Sequence, residues 1–230
     1  MYHTVVIGGG CLGAASAISL QRKLNKLGKN DKVCLVEKAV LCAAESSRHS
    51  GIVRSANADP DASVMASLST KMWKDLSKVW GLSMEIDEFG AIWIAKKNSD
   101  GENPAWHELS SRMKNIDLTF EEIDTCSATE KCGKTLLTDK NESYFYEPGA
   151  FQLDPSILRS TLYDALDENG VVLMEKTEVD TILTKGSEIL GITTNEGKID
   201  ARNFVNSTGA WSSQLFSKIG LKIPVTIEPV

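Results

Sequence analysis

The stretch Thr4-Val5-Val6-Ile7-Gly8-Gly9-Gly10-Cys11-Leu12-Gly13-Ala14-Ala15-Ser16-Ala17-Ile18-Ser19-Leu20 runs from an apolar segment through a glycine turn into a helical pattern. Gly8, Gly10 and Gly13 take the spacing G-x-G-x-x-G between a buried strand and a helix start, the setting in which that spacing carries meaning. The first glycine permits the tight turn. The second lets backbone N–H groups approach a pyrophosphate, and the third lets the helix pack closely on the strand. The helix start adds N–H groups with no intrahelical partner and the positive end of its dipole. The segment predicts a dinucleotide site, with Gly9, Cys11 and Leu12 completing the turn.

A second apolar run, Val33-Cys34-Leu35-Val36, ends in Glu37, followed by Lys38. A carboxylate at the end of the second strand accepts hydrogen bonds from ribose hydroxyls and disfavours a 2′-phosphate by like-charge repulsion. The linker 26–31 is polar and long, which predicts that the first helix frays there. With 230 residues and 42% apolar content, the chain can bury a core in one or two domains. A net charge of −6 offers no basic footprint for nucleic acid or anionic lipid. No apolar run reaches the roughly 18 residues of a membrane span, and the N-terminal run lacks the basic flank of a signal peptide. Five cysteines without a C-x-x-C pair suggest reduced thiols in a cytoplasm-like compartment and no metal site.

Further along, Asp59-Pro60 opens a helix expected to reach about Trp80, with Val64, Leu68, Met72, Leu76 and Trp80 on one face. That stripe is expected to pack into the core. Strands are expected at 83–86 and 91–95, around a turn at 87–90. A surface loop is expected over 96–104, and weakly periodic helices and loops over 105–140. Tyr144 to Tyr146 reads as a strand, and Asp154-Pro155 starts a helix closed at Gly170. Strands follow at 171–174, 179–183, 189–194 and 198–200, the last three as a small meander. Asn203 to Asn206 is a buried strand entering a second glycine turn, Ser207-Thr208-Gly209-Ala210-Trp211, and a helix ending near Gly220. Gly209 is either a tight connection or a second backbone approach to the nucleotide.

Taken in order, five segments resemble the D-amino-acid oxidase superfamily of FAD-dependent oxidoreductases, in the branch of sarcosine oxidase and glycine oxidase. They are Gly8 to Gly13, Leu35-Val36-Glu37-Lys38, Ser46-Ser47-Arg48-His49-Ser50-Gly51-Ile52-Val53-Arg54, Gly149 to Pro155, and Val205 to Trp211. The resemblance implies an α/β fold in which a Rossmann-like FAD-binding domain (residues 1–80 and 150–230) carries part of an inserted α+β substrate domain (81–149). Members are considerably longer, so the chain is expected to be C-terminally truncated, incomplete and poorly active alone. FAD would lie with its pyrophosphate on Gly8 to Gly13 and its ribose on Glu37, with Lys38 beside it. The loop of Ser46, Ser47, Arg48, Ser50 and Gly51 would run beneath the pyrophosphate and flavin. A serine-rich turn facing water is the alternative. Val179 matches the adenine-contacting strand, and Thr208 and Gly209 the second nucleotide contact.

By the same resemblance Arg54 anchors a substrate carboxylate near the flavin; an ordinary surface ion pair is the alternative. His49 stands two places before Gly51, where the relatives with covalently attached FAD have histidine three places before, so it reads as a polar loop residue. The implied reaction is hydride transfer from an amine or amino acid to FAD. A 2-hydroxy acid stays open, since L-2-hydroxyglutarate oxidases carry a similar loop with asparagine and histidine where His49 and Arg54 stand. Two other classes stay open: a non-catalytic FAD-binding subunit and an NAD-linked dehydrogenase. A partner subunit or electron-transfer protein would complete such a system, in the cytoplasm or the mitochondrial matrix.

Overall fold

A computed structural model describes residues 1–80, 86, 88–133 and 136–226. The chain divides into two compact units, residues 1–49 with 155–230, and residues 50–154. The first unit begins with strand β1 (Tyr2–Ile7), helix α1 (Cys11–Lys26) and strand β2 (Val33–Val36). α1 does not fray into its linker. Gly28, at φ 65°, and Lys29 return their N–H groups to the carbonyls of Asn25 and Leu24, closing the last turn. Its buried face is Gly13, Ala14, Ala17, Ile18, Gln21 and Leu24, at helical spacing. Gln21 is satisfied there, donating to Asn25 and the Asp31 carbonyl and accepting the Val33 N–H at 2.7 Å.

The second unit holds β3 (Ile52–Val53), α2 (Pro60–Trp80), β4 (Ala91–Lys96), α3 (Pro104–Asn115), β5 (Glu121–Ile123), α4 (Thr125–Lys131), β6 (Glu142–Glu147) and β7 (Phe151–Gln152). Three strands make an antiparallel sheet in the order β4-β6-β5, and β3 pairs antiparallel with β7. Phe120 and Phe145 stack at 5.5 Å between ring centroids, with Trp93, Trp106 and Met113 around them. The strand expected at 83–86 and the start of the turn at 87–90 lie outside the described residues, Ile86 apart. β5, β3 and β7 were not anticipated from sequence.

The expectation that the α2 stripe packs into the core is corrected. Val64 is 42% exposed, Leu68 56% and Met72 61%, while Leu76 and Trp80 are not described at side-chain level. The helix turns its small polar face inward instead. Ser63 and Thr70 are buried, Ser63 exchanging hydrogen bonds with the Asn57 backbone and Thr70 Oγ1 meeting Ser55 Oγ at 3.1 Å. Close packing against a polar strand end outweighs the periodicity of the larger side chains.

The chain returns to the first unit with α5 (Pro155–Asn169), β8 (Val172–Met174), the meander β9 (Val179–Lys185), β10 (Glu188–Thr194) and β11 (Gly197–Ile199), then β12 (Ala201–Asn206) and α6 (Ser212–Ser217). The main sheet is fully parallel in the order β12-β1-β2-β8. Val5, Ile7, Cys34 and Val36 share one core with Ile182 and Ile192 of the meander and Leu215 of α6. Val6 and Leu35, pointing the other way, have no exposure, and α1 packs on β1, β2 and α5. Coverage on both faces explains why the inner strands β1 and β2 read as apolar runs; β12, expected to be buried, is instead an edge strand with Arg202, Asn203 and Asn206 exposed.

Candidate nucleotide cradle

The glycine turn is locked on three sides by backbone. Gly8 N–H donates to the Val36 carbonyl at 2.8 Å, Ser207 N–H to Ile7, and Cys42 N–H to Gly9. Gly8 has φ 104°, and a Cβ there would lie 2.4 Å from the Ser207 carbonyl oxygen. A Cβ on Gly13 would lie 1.9 Å from the Gly8 carbonyl oxygen. The first glycine therefore satisfies the turn, and the last the close approach of helix and strand, as the spacing predicts. Gly10 caps α1 without a side-chain hydrogen bond, and no acid occupies the first turn. The first turn of α1 thus carries no acid of its own, and the nearest carboxylate is Glu37, held on the Gly9 N–H.

A cavity of about 360 Å³ opens at this turn, within the usual range for small-ligand sites. Its lining brings together Gly8, Gly10, Glu37, Lys38, Ser46, Val179, Thr208 and Gly209 from four separate parts of the sequence. Glu37 accepts the Gly9 N–H at 2.7 Å and the Ala39 N–H at 2.8 Å, one on each oxygen. An ionised carboxylate has about four acceptor sites, so capacity remains for ribose hydroxyls. Ser46 Oγ accepts the Cys11 N–H at 3.0 Å, and a Cβ on Gly10 would come within 2.9 Å of that oxygen. Lys38 Nζ sits 3.8 Å from the ring centroid of Trp211, a cation–π pair at the cavity wall.

The remaining residues named from sequence fall elsewhere. Gly9, Cys11 and Gly13 build the turn without lining the cavity, and Leu12 is 82% exposed. Ser47 donates back to the Ala44 carbonyl within a short 3-10 turn, and Arg48 is exposed. Exposed His49 places Nε2 3.1 Å from the Ser46 carbonyl oxygen. Ser50, Gly51 and Arg54 belong to the second unit. There Gly51, at φ 75°, would put a Cβ 2.0 Å from the Leu153 carbonyl oxygen, so the β3–β7 pairing alone demands glycine. Arg54 Nη1 donates to the Ala56 carbonyl at 2.8 Å, and its guanidinium lies 4.4 Å from the Trp93 ring centroid.

Sequence reasoning missed Thr177, Glu178, Gln214 and Lys218 on the cavity wall, although each adjoins a segment it had marked. It also missed Glu147, 2% exposed, which accepts the N–H groups of Ser55, Ala56 and the Trp93 indole. Its position at the end of an aromatic strand gave no sign of that role.

An extended dinucleotide fits these residues: a helix start with no acid in its first turn for its diphosphate, an acid with spare acceptor sites for its sugar, and an apolar wall at Val179. The sequence profile described as DAO, FAD dependent oxidoreductase, matches residues 3–230. The chain is 25% identical over 213 residues to a pyruvate dehydrogenase phosphatase regulatory subunit of Mus musculus, covering 93% of this chain and 23% of that protein. It is 26% identical over 223 residues to dimethylglycine dehydrogenase of Rattus norvegicus, covering 97% and 25% respectively. Among solved structures, L-proline dehydrogenase from P. horikoshii superposes with a TM-score of 0.84 at 24% identity, over 99% of this chain and 58% of that one. The chain thus spans about a quarter of those curated relatives and little more than half of that structure. With the profile matched almost from end to end, the chain belongs to the DAO family of FAD dependent oxidoreductases.

Proposed function

We propose that this chain forms the cofactor-holding part of an enzyme that oxidises a small amino acid, with an N-substituted amino acid the favoured substrate class. The observation that carries the reading is the cavity at the glycine turn, with Glu37 and Gly10, which precedes α1, on its wall. Gly8 to Gly13 would hold the FAD pyrophosphate, Glu37 its ribose, and Val179, Thr208 and Gly209 the adenine side. When bound, FAD supplies the hydride acceptor. The dimethylglycine and L-proline relatives carry names of substrates whose nitrogen bears extra carbon, which supports the substrate class. The first unit is assigned to FAD and the second to the substrate side.

Arg54 would hold the substrate carboxylate. Its guanidinium spends one N–H on Ala56 and rests its face on Trp93, which fixes the fork while leaving further donors for an anion. Losing a charged hydrogen bond of about 1.5–3 kcal/mol predicts that Arg54→Met raises KM by about 10- to 100-fold, with Arg54→Lys recovering part of the loss. An unchanged KM would remove Arg54 from the site.

Purified from its host with FAD present, the chain is expected to be yellow and to release free FAD on acid precipitation, since His49 stands two places before Gly51 rather than three. Flavin remaining in the precipitate would overturn that part. A colourless protein that binds NADH would overturn the cofactor. The relative named as a regulatory subunit favours a second reading, FAD binding without turnover. A flavin-loaded chain that oxidises no N-methyl amino acid with an artificial electron acceptor would favour that reading over the enzyme.

A further inference from the structure

Cys11 opens α1, and Cys42 lies in the loop after β2, among the residues that line the cavity. Their Sγ atoms stand 3.9 Å apart. A disulfide bond measures about 2.05 Å, so closure asks for a movement of about 2 Å. The two backbones are already joined, since Cys42 donates its N–H to the Gly9 carbonyl at 2.8 Å, two residues ahead of Cys11. Cys42 holds φ 56°, a left-handed conformation uncommon for a residue with a side chain. The cradle uses the backbone of Cys11 but neither sulfur.

The geometry points to a modification site: in the flavin-free chain Cys11 and Cys42 close to a disulfide by exchange with a low-molecular-weight disulfide, and the closed pair no longer admits FAD. The second half rests on the FAD reading of the cradle. The local environment separates the roles of the two thiols. A hydrogen bond from the Cys42 thiol lowers Cys11 to about 6, against burial and with help from Ser46 and His49. The start of α1 acts in the same direction. That same hydrogen bond, with burial, pushes Cys42 up, so it keeps its proton.

The Cys11 thiolate attacks one sulfur of the small disulfide. The S–S bond of that reagent breaks, a mixed disulfide forms on Cys11, and one small thiolate leaves with the electron pair. Cys42 passes its proton to that thiolate and attacks Cys11 Sγ, which expels the second small thiolate. Two protein thiols are oxidised and one small disulfide is reduced to two thiols. Closure draws the first residue of α1 toward Cys42 and displaces the Cys11 N–H, now 3.0 Å from Ser46 Oγ. A pyrophosphate on this turn and the closed pair exclude one another, and the exclusion is reciprocal.

The test treats the reduced, flavin-free chain with glutathione disulfide and follows intact mass, cross-linked peptides and FAD titration. The expected result is loss of the mass of two hydrogens, a Cys11–Cys42 peptide, and FAD affinity weakened by about tenfold or more until dithiothreitol restores it. FAD-saturated chain should oxidise about tenfold or more slowly by the same linkage. Cys42→Ser should stop at a glutathione adduct on Cys11, while Cys126→Ser, at an exposed position, should cross-link like the wild type. Absence of the cross-linked peptide, or a cross-link that leaves FAD affinity unchanged, overturns the proposal. A reduced chain that binds no FAD sinks the cofactor reading and with it the exclusion, and the peptide tells that result apart from failure of the thiol pair itself.

Discussion

Gly10 and Gly13 are three residues apart in one turn, yet the atoms facing them differ in kind. A Cβ on Gly13 meets the Gly8 carbonyl oxygen at 1.9 Å, a backbone atom that yields only if helix and strand separate. A Cβ on Gly10 meets Ser46 Oγ at 2.9 Å, and that hydroxyl can rotate away. Gly13→Ala is therefore expected to destabilise the chain by about 1–3 kcal/mol, as overpacking does. Gly10→Ala should cost about 0.5–1.5 kcal/mol, the Ser46 bond to the Cys11 N–H that the rotation gives up, while filling the proposed pyrophosphate site. Urea unfolding and FAD stoichiometry separate the two, and equal loss of stability in both variants would contradict the geometry. Cys11 offers a pH-dependent readout at this scale. With its thiol lowered to about 6 by the Cys42 hydrogen bond, its thiolate is present above that pH and lost below it. Iodoacetamide labelling of Cys11 in the reduced, flavin-free chain should rise through pH 6, whereas a rise near 9, the ordinary thiol value, would show that the hydrogen bond is not made.

At the scale of elements, α2 and α5 carry similar apolar periodicity and opposite outcomes. Leu158, Leu162 and Leu166 of α5 are buried, with Leu162 at 1% exposure, whereas Leu68 of α2 is 56% exposed. Leu162→Ala is expected to cost about 2–5 kcal/mol through the cavity it leaves. Leu68→Ser should stay within about 0.5 kcal/mol, as surface substitutions do. Denaturant midpoints of the two variants check this, and a large cost at Leu68 would put the stripe back in a core. The pair also shows what was legible in the sequence. β1, α1, β2, α5, the meander and β12 could be read because one local pattern set each of them and the glycine turn ordered them. α2 could be located but not oriented, since its inward face is chosen by hydrogen bonds of Ser63 and Thr70 to residues 55–57. β3, β5 and β7 are two or three residues long and are defined by pairing alone. Much of the cradle was legible for the first reason, and Glu147 was missed for the second, because its partners Ser55, Ala56 and Trp93 lie 92, 91 and 54 positions away.

For the whole molecule, the two units carry separate cores, one built on the parallel sheet and the meander, the other on the stacked aromatics. All the residues that line the cavity belong to the first unit. A ligand bound only by the folded state adds RT ln(1 + [L]/Kd), about 2.7 kcal/mol at a hundredfold excess over Kd. A chain of this size gains about 2–4 °C in Tm for each kcal/mol. FAD at that excess should thus raise the Tm of the flavin-free chain by about 5–10 °C, from those two relations combined. NADPH should raise it far less, because Glu37 on the cavity wall repels a 2′-phosphate and neither its Gly9 nor its Ala39 hydrogen bond removes its charge. Trp211, beside Lys38 on the same wall, should lose fluorescence as FAD binds, and that signal should saturate with the Tm shift. A Tm that rises with NADPH and not with FAD would mean that the acid at the end of β2 does not face the sugar, and the assignment of the cavity would fall with it.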